Sequence, residues 1–382
     1  MSDALRGIFA PVFQERYGLS DRLLSWIVVA SYLGNLLFLS VGGKLLDRFP
    51  RRKVMAGAAG IWLAAALLNL TTDRYGTLVA AMFLALGSST LLNTSVNIMT
   101  PVVCTGYAGL MVNVFFFIQG LGTSGSQFLF GHYAFSYQGW RMANAAMAVL
   151  AIFVIAMFLM VRLPRKREEE RENGKGERTK KAKTGSAAHG VDKMPSASVF
   201  FWLAAMMGFY FIGEHSIMNW FLSYCIGAFQ MEASKASISL SLFWGGMTAG
   251  RLLFAPAVQK IGVWKSILIF GAAGTILFGV GCILGAQGIV LLGVSGFALS
   301  ILYPTMILMI QQIYPQRVAA GKTGAIISLA TVADILFNAG FGSAIEHFGY
   351  RMSFLILPLC MAAFYLIYLH IFRKQRLARR RA

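Results

Sequence analysis

Apolar runs of about twenty residues, parted by short polar turns, recur along almost the whole chain. Because an α-helix rises about 1.5 Å per residue, runs of that length cross the roughly 30 Å hydrocarbon layer of a bilayer. The pattern predicts eleven complete spans, near residues 23–43, 54–71, 76–97, 107–131, 140–161, 198–224, 236–257, 265–285, 288–311, 321–342 and 350–372. One stretch breaks the rhythm. Residues 163–195, which include Arg165-Lys166-Arg167-Glu168-Glu169-Glu170, are polar, free of aromatic rings and rich in Gly, Lys and Glu. Such a segment cannot bury a core and reads as a disordered linker. It parts a helical half at 1–162 from a second at 196–372, which a basic tail follows at 373–382. The expected class is an all-α membrane protein.

Composition agrees, since 57% apolar and 13% charged residues exclude a water-soluble globule of this length. The net charge of +19 matters through its placement. Of the 34 Lys and Arg, 27 fall in the turns near 44–53, 162–197, 258–265 and 312–322, at Arg251 and in the tail. All of these share one side if the spans alternate, whereas Arg6, Arg16, Arg22, Arg74, Arg141, Lys235 and Arg351 fall on the other. The asymmetry puts the basic side, with the linker and C-terminus, in the cytoplasm of a multi-pass plasma-membrane protein. Positive residues scattered over juxtamembrane turns form no aromatic-interleaved patch, which excludes nucleic acid and favours anionic lipid as their partner. Cys104, Cys225, Cys282 and Cys360 lie in or beside apolar spans without metal or redox spacing, so they read as packing residues. No metal and no cofactor are expected.

The two halves repeat one another. Gly139-Trp140-Arg141-Met142 returns as Gly349-Tyr350-Arg351-Met352, and Gly34 falls on Gly246 at an offset of 212. Parallel duplication of a six-helix unit accounts for both. The same offset places the start of the helix near residue 197 about 15 residues before Met1, so the first helix is expected to be incomplete, with residues 4–13 as its outer end.

Ionisable groups in mid-span are costly in hydrocarbon and usually face a bundle interior or a wet path. Two carboxylates qualify, Glu214 and Asp334, and both are candidates for proton coupling. Around Glu214, helical spacing puts Tyr210 with Glu214, His215 with Asn219 and Trp220 with Tyr224, as in a polar-lined, discontinuous helix. Asp334 shares a face with Asn338. Asn93, Asn97, Asn113 and Gln119 add amides, and Tyr303 precedes Pro304 at an expected kink. Amides that bond hydroxyls, with rings such as Trp220 to cover an apolar face, suit a neutral hydroxylated solute.

The turn Gly43-Lys44-Leu45-Leu46-Asp47-Arg48-Phe49-Pro50-Arg51-Arg52-Lys53 resembles the signature between the second and third helices of the major facilitator superfamily. It departs from that signature at Pro50, where the family usually has a second glycine. Leu92-Asn93-Thr94-Ser95-Val96-Asn97, Gly213-Glu214 with Trp220 and Tyr224, and Gly250-Arg251 resemble the fucose permease branch, which are sugar:proton symporters. Asn93 stands where that branch carries a glutamate. The resemblance implies a monomeric two-half bundle and alternating access to a small solute. It also implies a coupling proton or other ion and gating by Gly43, Asp47, Arg48, Arg51, Arg52 and Arg251.

Other classes fit less well. The five histidines are dispersed and none has a ligand partner one turn away, so a membrane-embedded enzyme lacks its constellation. No nucleotide cradle appears, which leaves ion gradients as the energy source. A drug or metabolite efflux antiporter of the same fold and a non-transporting sensor stay open.

Overall fold

The computed structural model describes residues 2–71, 73–103, 108–160 and 194–381. Cys104 and nearly all of the expected linker lie outside them. The described helices are α1 (Ser2–Ile8), α2 (Ala10–Tyr17), α3 (Asp21–Arg48), α4 (Arg51–Thr71), α5 (Tyr75–Val103), α6 (Ala108–Gly131) and α7 (Tyr137–Met160). The second half holds α8 (Ala197–Phe229), α9 (Ala233–Ile261), α10 (Val263–Ile283), α11 (Ile289–Leu299), α12 (Leu302–Ile313), α13 (Gln316–Phe354) and α14 (Ile356–Arg381). Among the described residues nine helical stretches are long and apolar enough to cross a bilayer, and α6 and α9 occupy the two remaining predicted spans.

Helix breaks follow local chemistry. Pro11 sits in the first turn of α2 and has no N–H for the Gly7 carbonyl, so helix parts between α1 and α2 at Phe9. Pro304 likewise leaves the Ser300 carbonyl without its helical donor, and α11 and α12 form one bent span. Gly349, at φ 73°, turns the chain inside α13, which divides the eleventh and twelfth spans of the full plan. Pro50 stands just ahead of α4, and its carbonyl accepts from Lys53 and Val54 at 2.8 and 3.2 Å. The discontinuity expected in the helix bearing Glu214 is not found, because α8 runs unbroken for 33 residues. Its Gly213 does not unwind the helix. A Cβ there would stand 2.5 Å from the Met361 sulfur, so the glycine admits a neighbour instead.

The repeat reappears as packing. In the first half α3 packs on α5, and α4 on α5 and α7; in the second α9 packs on α11, and α10 on α11 and α14. Gly34 and Gly246 serve the same close approach in each copy. A Cβ at Gly34 would lie 2.1 Å from the Phe83 carbonyl oxygen of α5, and one at Gly246 would lie 3.1 Å from the Phe297 nitrogen of α11. Trp140 lies edge-on to Phe9 and Phe13, at 5.4 and 4.9 Å. Its repeat partner Tyr350 lies against Gly227 of α8. Helices α2 and α8 both end on a left-handed residue, Gly18 (φ 60°) and Gln230 (φ 52°), again 212 positions apart. The short α1–α2 segment is thus the counterpart of the last half of α8.

Between the halves α3 packs on α13, α6 on α9, and α1 on α8. A two-fold axis that exchanges the copies demands this set, because it converts the first pair into the second and maps the third onto itself.

Candidate functional site

Where α1, α3, α8 and α13 meet, a hydrogen-bonded network joins one half to the other. Arg6, only 2% exposed, donates through Nε and Nη2 to Asn219 Oδ1 at 3.1 and 2.5 Å. The same guanidinium pairs with Asp3 at 2.6 Å and lies over the Tyr32 ring at 4.8 Å. Asn219 donates onward to the Tyr32 hydroxyl at 3.2 Å and to Asn338 Oδ1 at 3.3 Å. Asn338 Oδ1 also accepts from Trp220 Nε1 at 3.0 Å, and its Nδ2 donates to Asp334 Oδ1 at 3.0 Å. Asp334 is fully buried, and its second oxygen meets His215 Nδ1 at 2.6 Å.

These partners fix the amide orientations. An indole N–H and a guanidinium only donate and a carboxylate only accepts, so each asparagine oxygen and nitrogen has one consistent placement. Unpaired, any of these buried groups would cost several kcal/mol, roughly 2–7 for an amide or hydroxyl without a partner. Satisfied, they hold four helices from two halves in one register.

His215 differs from the rest of the chain of bonds that it ends. Its ring is 28% exposed although it sits in mid-helix. Tyr32 stacks on one side at 5.5 Å and Phe211 at 5.1 Å, both at interplanar angles of 30°. Glu214 is 6% exposed and neighbours Tyr210 and Tyr303. Tyr210 donates to the Leu299 carbonyl at 3.4 Å, and Arg251 Nε donates to the Ser300 carbonyl at 3.3 Å. Two side chains from α8 and α9 therefore serve the carbonyls bared at the α11–α12 bend.

Of the residues expected from the sequence, His215, Asn219, Trp220, Asp334 and Asn338 are brought into this single network. Trp220 and Tyr224 are enclosed, the latter stacked on Phe354 at 3.8 Å, so neither ring borders accessible space. Tyr303 is half-buried beside Phe211. Asn93 and Gln119 are exposed on α5 and α6, outside the network described above. Arg48 is exposed, and Arg51, Arg52 and Arg251 are half-buried. Asn97, Asn113, Gly43 and Asp47 lie outside the residues whose side chains are described.

Sequence reasoning missed Asp3, Arg6 and Tyr32. Arg6 lies in α1, the segment that pairs in the repeat with the last half of α8, and its side chain enters the network between the halves. The repeat carried the signal. At the offset of 212, Asp3 falls on His215 and Arg6 falls on Met218, next to Asn219.

Further bonds tie the halves together at the end away from the basic turn. Arg22 N–H donates to Glu346 at 2.8 Å, Ser25 to the Ala339 carbonyl at 3.5 Å, and Tyr350 to Asp21. Ser124 and Ser241 join α6 to α9 at 3.0 Å.

Solved structures of this architecture are known. The inward-open xylose transporter XylE from E. coli superposes with a TM-score of 0.75 at 14% identity, covering 97% of this chain and 92% of that one. The nucleoside transporter NupG gives 0.67 at 13% identity, with 97% and 95% covered. The E. coli fucose:proton symporter FucP gives 0.61 at 15% identity, again with 97% and 95% covered. At such identities the likeness speaks for the fold alone. A search of curated proteins finds no significant match. The Major Facilitator Superfamily profile, however, matches residues 1–337. A helical bundle of two copied halves, joined across their pseudo-two-fold by a buried polar network and matched by that profile over most of its length, makes this chain a member of the major facilitator superfamily.

Proposed function

We propose that the protein is a secondary active transporter that moves a small neutral polar solute, a sugar or a similar metabolite, across the cytoplasmic membrane by alternating access, driven by protons. The observation that carries this reading is the network from Arg6 to His215, which is polar, crosses the interface between the halves and meets accessible space in mid-bundle. A buried polar seam of this kind is expensive to maintain in a membrane protein and marks a path. Its charges are locally compensated, Arg6 by Asp3 and a protonated His215 by Asp334. Such a seam suits a solute without net charge.

Proton coupling would rest on Asp334 and Glu214, the mid-span carboxylates. With the basic turns in the cytoplasm, the bonds among Asp21, Arg22, Ser25, Ala339, Glu346 and Tyr350 would tie the two halves at the outer end. The turn around Asp47 and Arg48 would stabilise one of the two states.

Uptake into proteoliposomes tests the reading. With an imposed proton gradient, labelled D-xylose, L-fucose or a nucleoside is expected to accumulate above its external level, and a protonophore is expected to abolish the excess. Binding without accumulation would favour a sensor, and accumulation indifferent to the gradient would remove the proton from the account.

A further inference from the structure

The helices of the second half gather cations at one end. Trp264, just ahead of Lys265, donates through Nε1 to Gln312 at 3.0 Å, and its ring lies 6.2 Å from that of Phe372. Lys322 Nζ stands 5.4 Å over the Phe200 ring. These contacts bring together the α9–α10 turn, the end of α12, the starts of α8 and α13 and the last turns of α14. Lys260, Lys265, Lys322, Arg373 and Lys374 therefore share that end, and the chain has no Asp or Glu in residues 233–333 or 347–382. Among the described residues neither Arg373 nor Lys374 has an ion pair.

Between α8 and α14 at this end runs a groove lined by Val199, Trp202, His370, Ile371, Lys374 and Gln375. Val199 and Ile371 give it an apolar wall continuous with the core. The Trp202 and His370 rings, both exposed, lie 5.2 Å apart. Trp202 Nε1 and Lys374 Nζ can only donate, and His370 and Gln375 can donate as well. None of these four side chains has a hydrogen-bond partner among the described residues, and no carboxylate lines the groove. Along α14 the lining passes from Ile371, through one turn, to Lys374 and Gln375 at the end of the span, so the apolar part lies on the membrane side and the charge on the water side. A phospholipid has the same order, acyl chain first and then ester and phosphate oxygens.

We propose that this groove seats an anionic glycerophospholipid, with its phosphodiester on Lys374 and the Trp202 N–H and its first acyl carbons against Val199 and Ile371. General attraction of anionic lipid spreads over every cation near the surface, whereas a seat confines the preference to the residues of one groove. Zwitterionic lipid is disfavoured because no carboxylate is there to hold an ammonium group. The bound lipid joins the start of α8 to the end of α14. Nothing in this depends on which solute the protein carries.

Native mass spectrometry of the full chain in detergent, with phosphatidylglycerol or phosphatidylcholine added, tests the proposal by counting bound lipids and their affinities. The wild type is expected to hold one phosphatidylglycerol about tenfold more tightly than phosphatidylcholine, the size of one hydrogen bond between charged groups. Lys374→Gln and Trp202→Ala alter exposed side chains, so folding is not at risk, and each should weaken that first lipid about fivefold. Arg373→Gln, next in the chain but outside the groove, should weaken it less than twofold. Equal effects of Lys374→Gln and Arg373→Gln, with none from Trp202→Ala, would mean diffuse attraction and overturn the proposal. Replacing Glu168, Glu169 and Glu170 together by glutamine should leave the first lipid unchanged. Tighter lipid binding in that variant would put the chain's own acidic run in the groove and overturn it too. Displacement of the lipid by inorganic phosphate alone would do the same, since the apolar wall would then hold nothing.

Discussion

At the residue scale, Asp334 is the group on which most else depends. It is fully buried, it holds His215 with one oxygen and Asn338 with the other, and among the described residues no second carboxylate bonds to either. An aspartate without these donors could not stay charged in such a place. Asp334→Asn retains the shape and one acceptor but removes the titratable site. Gradient-driven accumulation is expected to fall to the level of passive equilibration, while solute exchange without a gradient continues. Loss of both together would make Asp334 a folding residue. Glu214→Gln, measured alongside, should alter the pH dependence of uptake if that carboxylate shares the load. The pairing of Asp334 with Asn338 and of His215 with Asn219 was legible from helical spacing. That the two pairs form one network was not, because spacing says which residues share a face and nothing of what the face meets.

Among the elements, the bent span α11–α12 shows how a local chemical lack becomes a fixed geometry. Pro304 frees the Ser300 carbonyl, and Arg251 of α9 occupies it. Pro304→Ala restores a competing N–H. The span should straighten and Arg251 should lose its acceptor, which is expected to slow turnover severalfold with less effect on solute affinity. Uptake kinetics will separate the two. The kink was foreseeable from the proline, but its use by Arg251 was not. The loop after α4 offers a test by pH. Asp73 bonds to Arg16 of α2 and accepts from the Tyr137 hydroxyl at 3.3 Å, and the Arg16 contact holds its carboxyl below the usual carboxylate range. A depressed pKa in the folded state stabilises above the unfolded value of about 4, and the contribution vanishes as pH falls through the folded value. Asp73→Asn should therefore narrow its stability gap from wild type as the medium is acidified below about pH 4, and the gap at neutral pH should be small and shrink with salt. Thermal unfolding in detergent at two ionic strengths measures both.

At the scale of the whole molecule, the contacts that join the halves include close approaches of glycine to backbone. Gly7 faces the Met218 carbonyl, and a Cβ on Gly342 would stand 2.3 Å from the Asp21 carbonyl oxygen. Interfaces of this kind close tightly and part without exposing a large apolar surface. Gly342→Leu inserts a wedge between α3 and α13 and should shift the population toward the state open at that end. Spin-label distances across the far ends of the halves, in nanodiscs, should lengthen relative to wild type. An unchanged distribution with intact folding would mean that closure there does not set the equilibrium.

The class, the spans, the doubling and the residues worth watching can be read from chain order alone, because hydrocarbon imposes length, apolarity and a penalty on every mid-span charge. Those constraints act on each segment separately, so they can be read along a line. That Arg6 enters the network between the halves, that Trp220 and Tyr224 are enclosed, and that α8 is unbroken came only with the folded arrangement. Each of these depends on which helix lies opposite, and that is settled by the pairing of two copied halves across an axis that no single segment encodes.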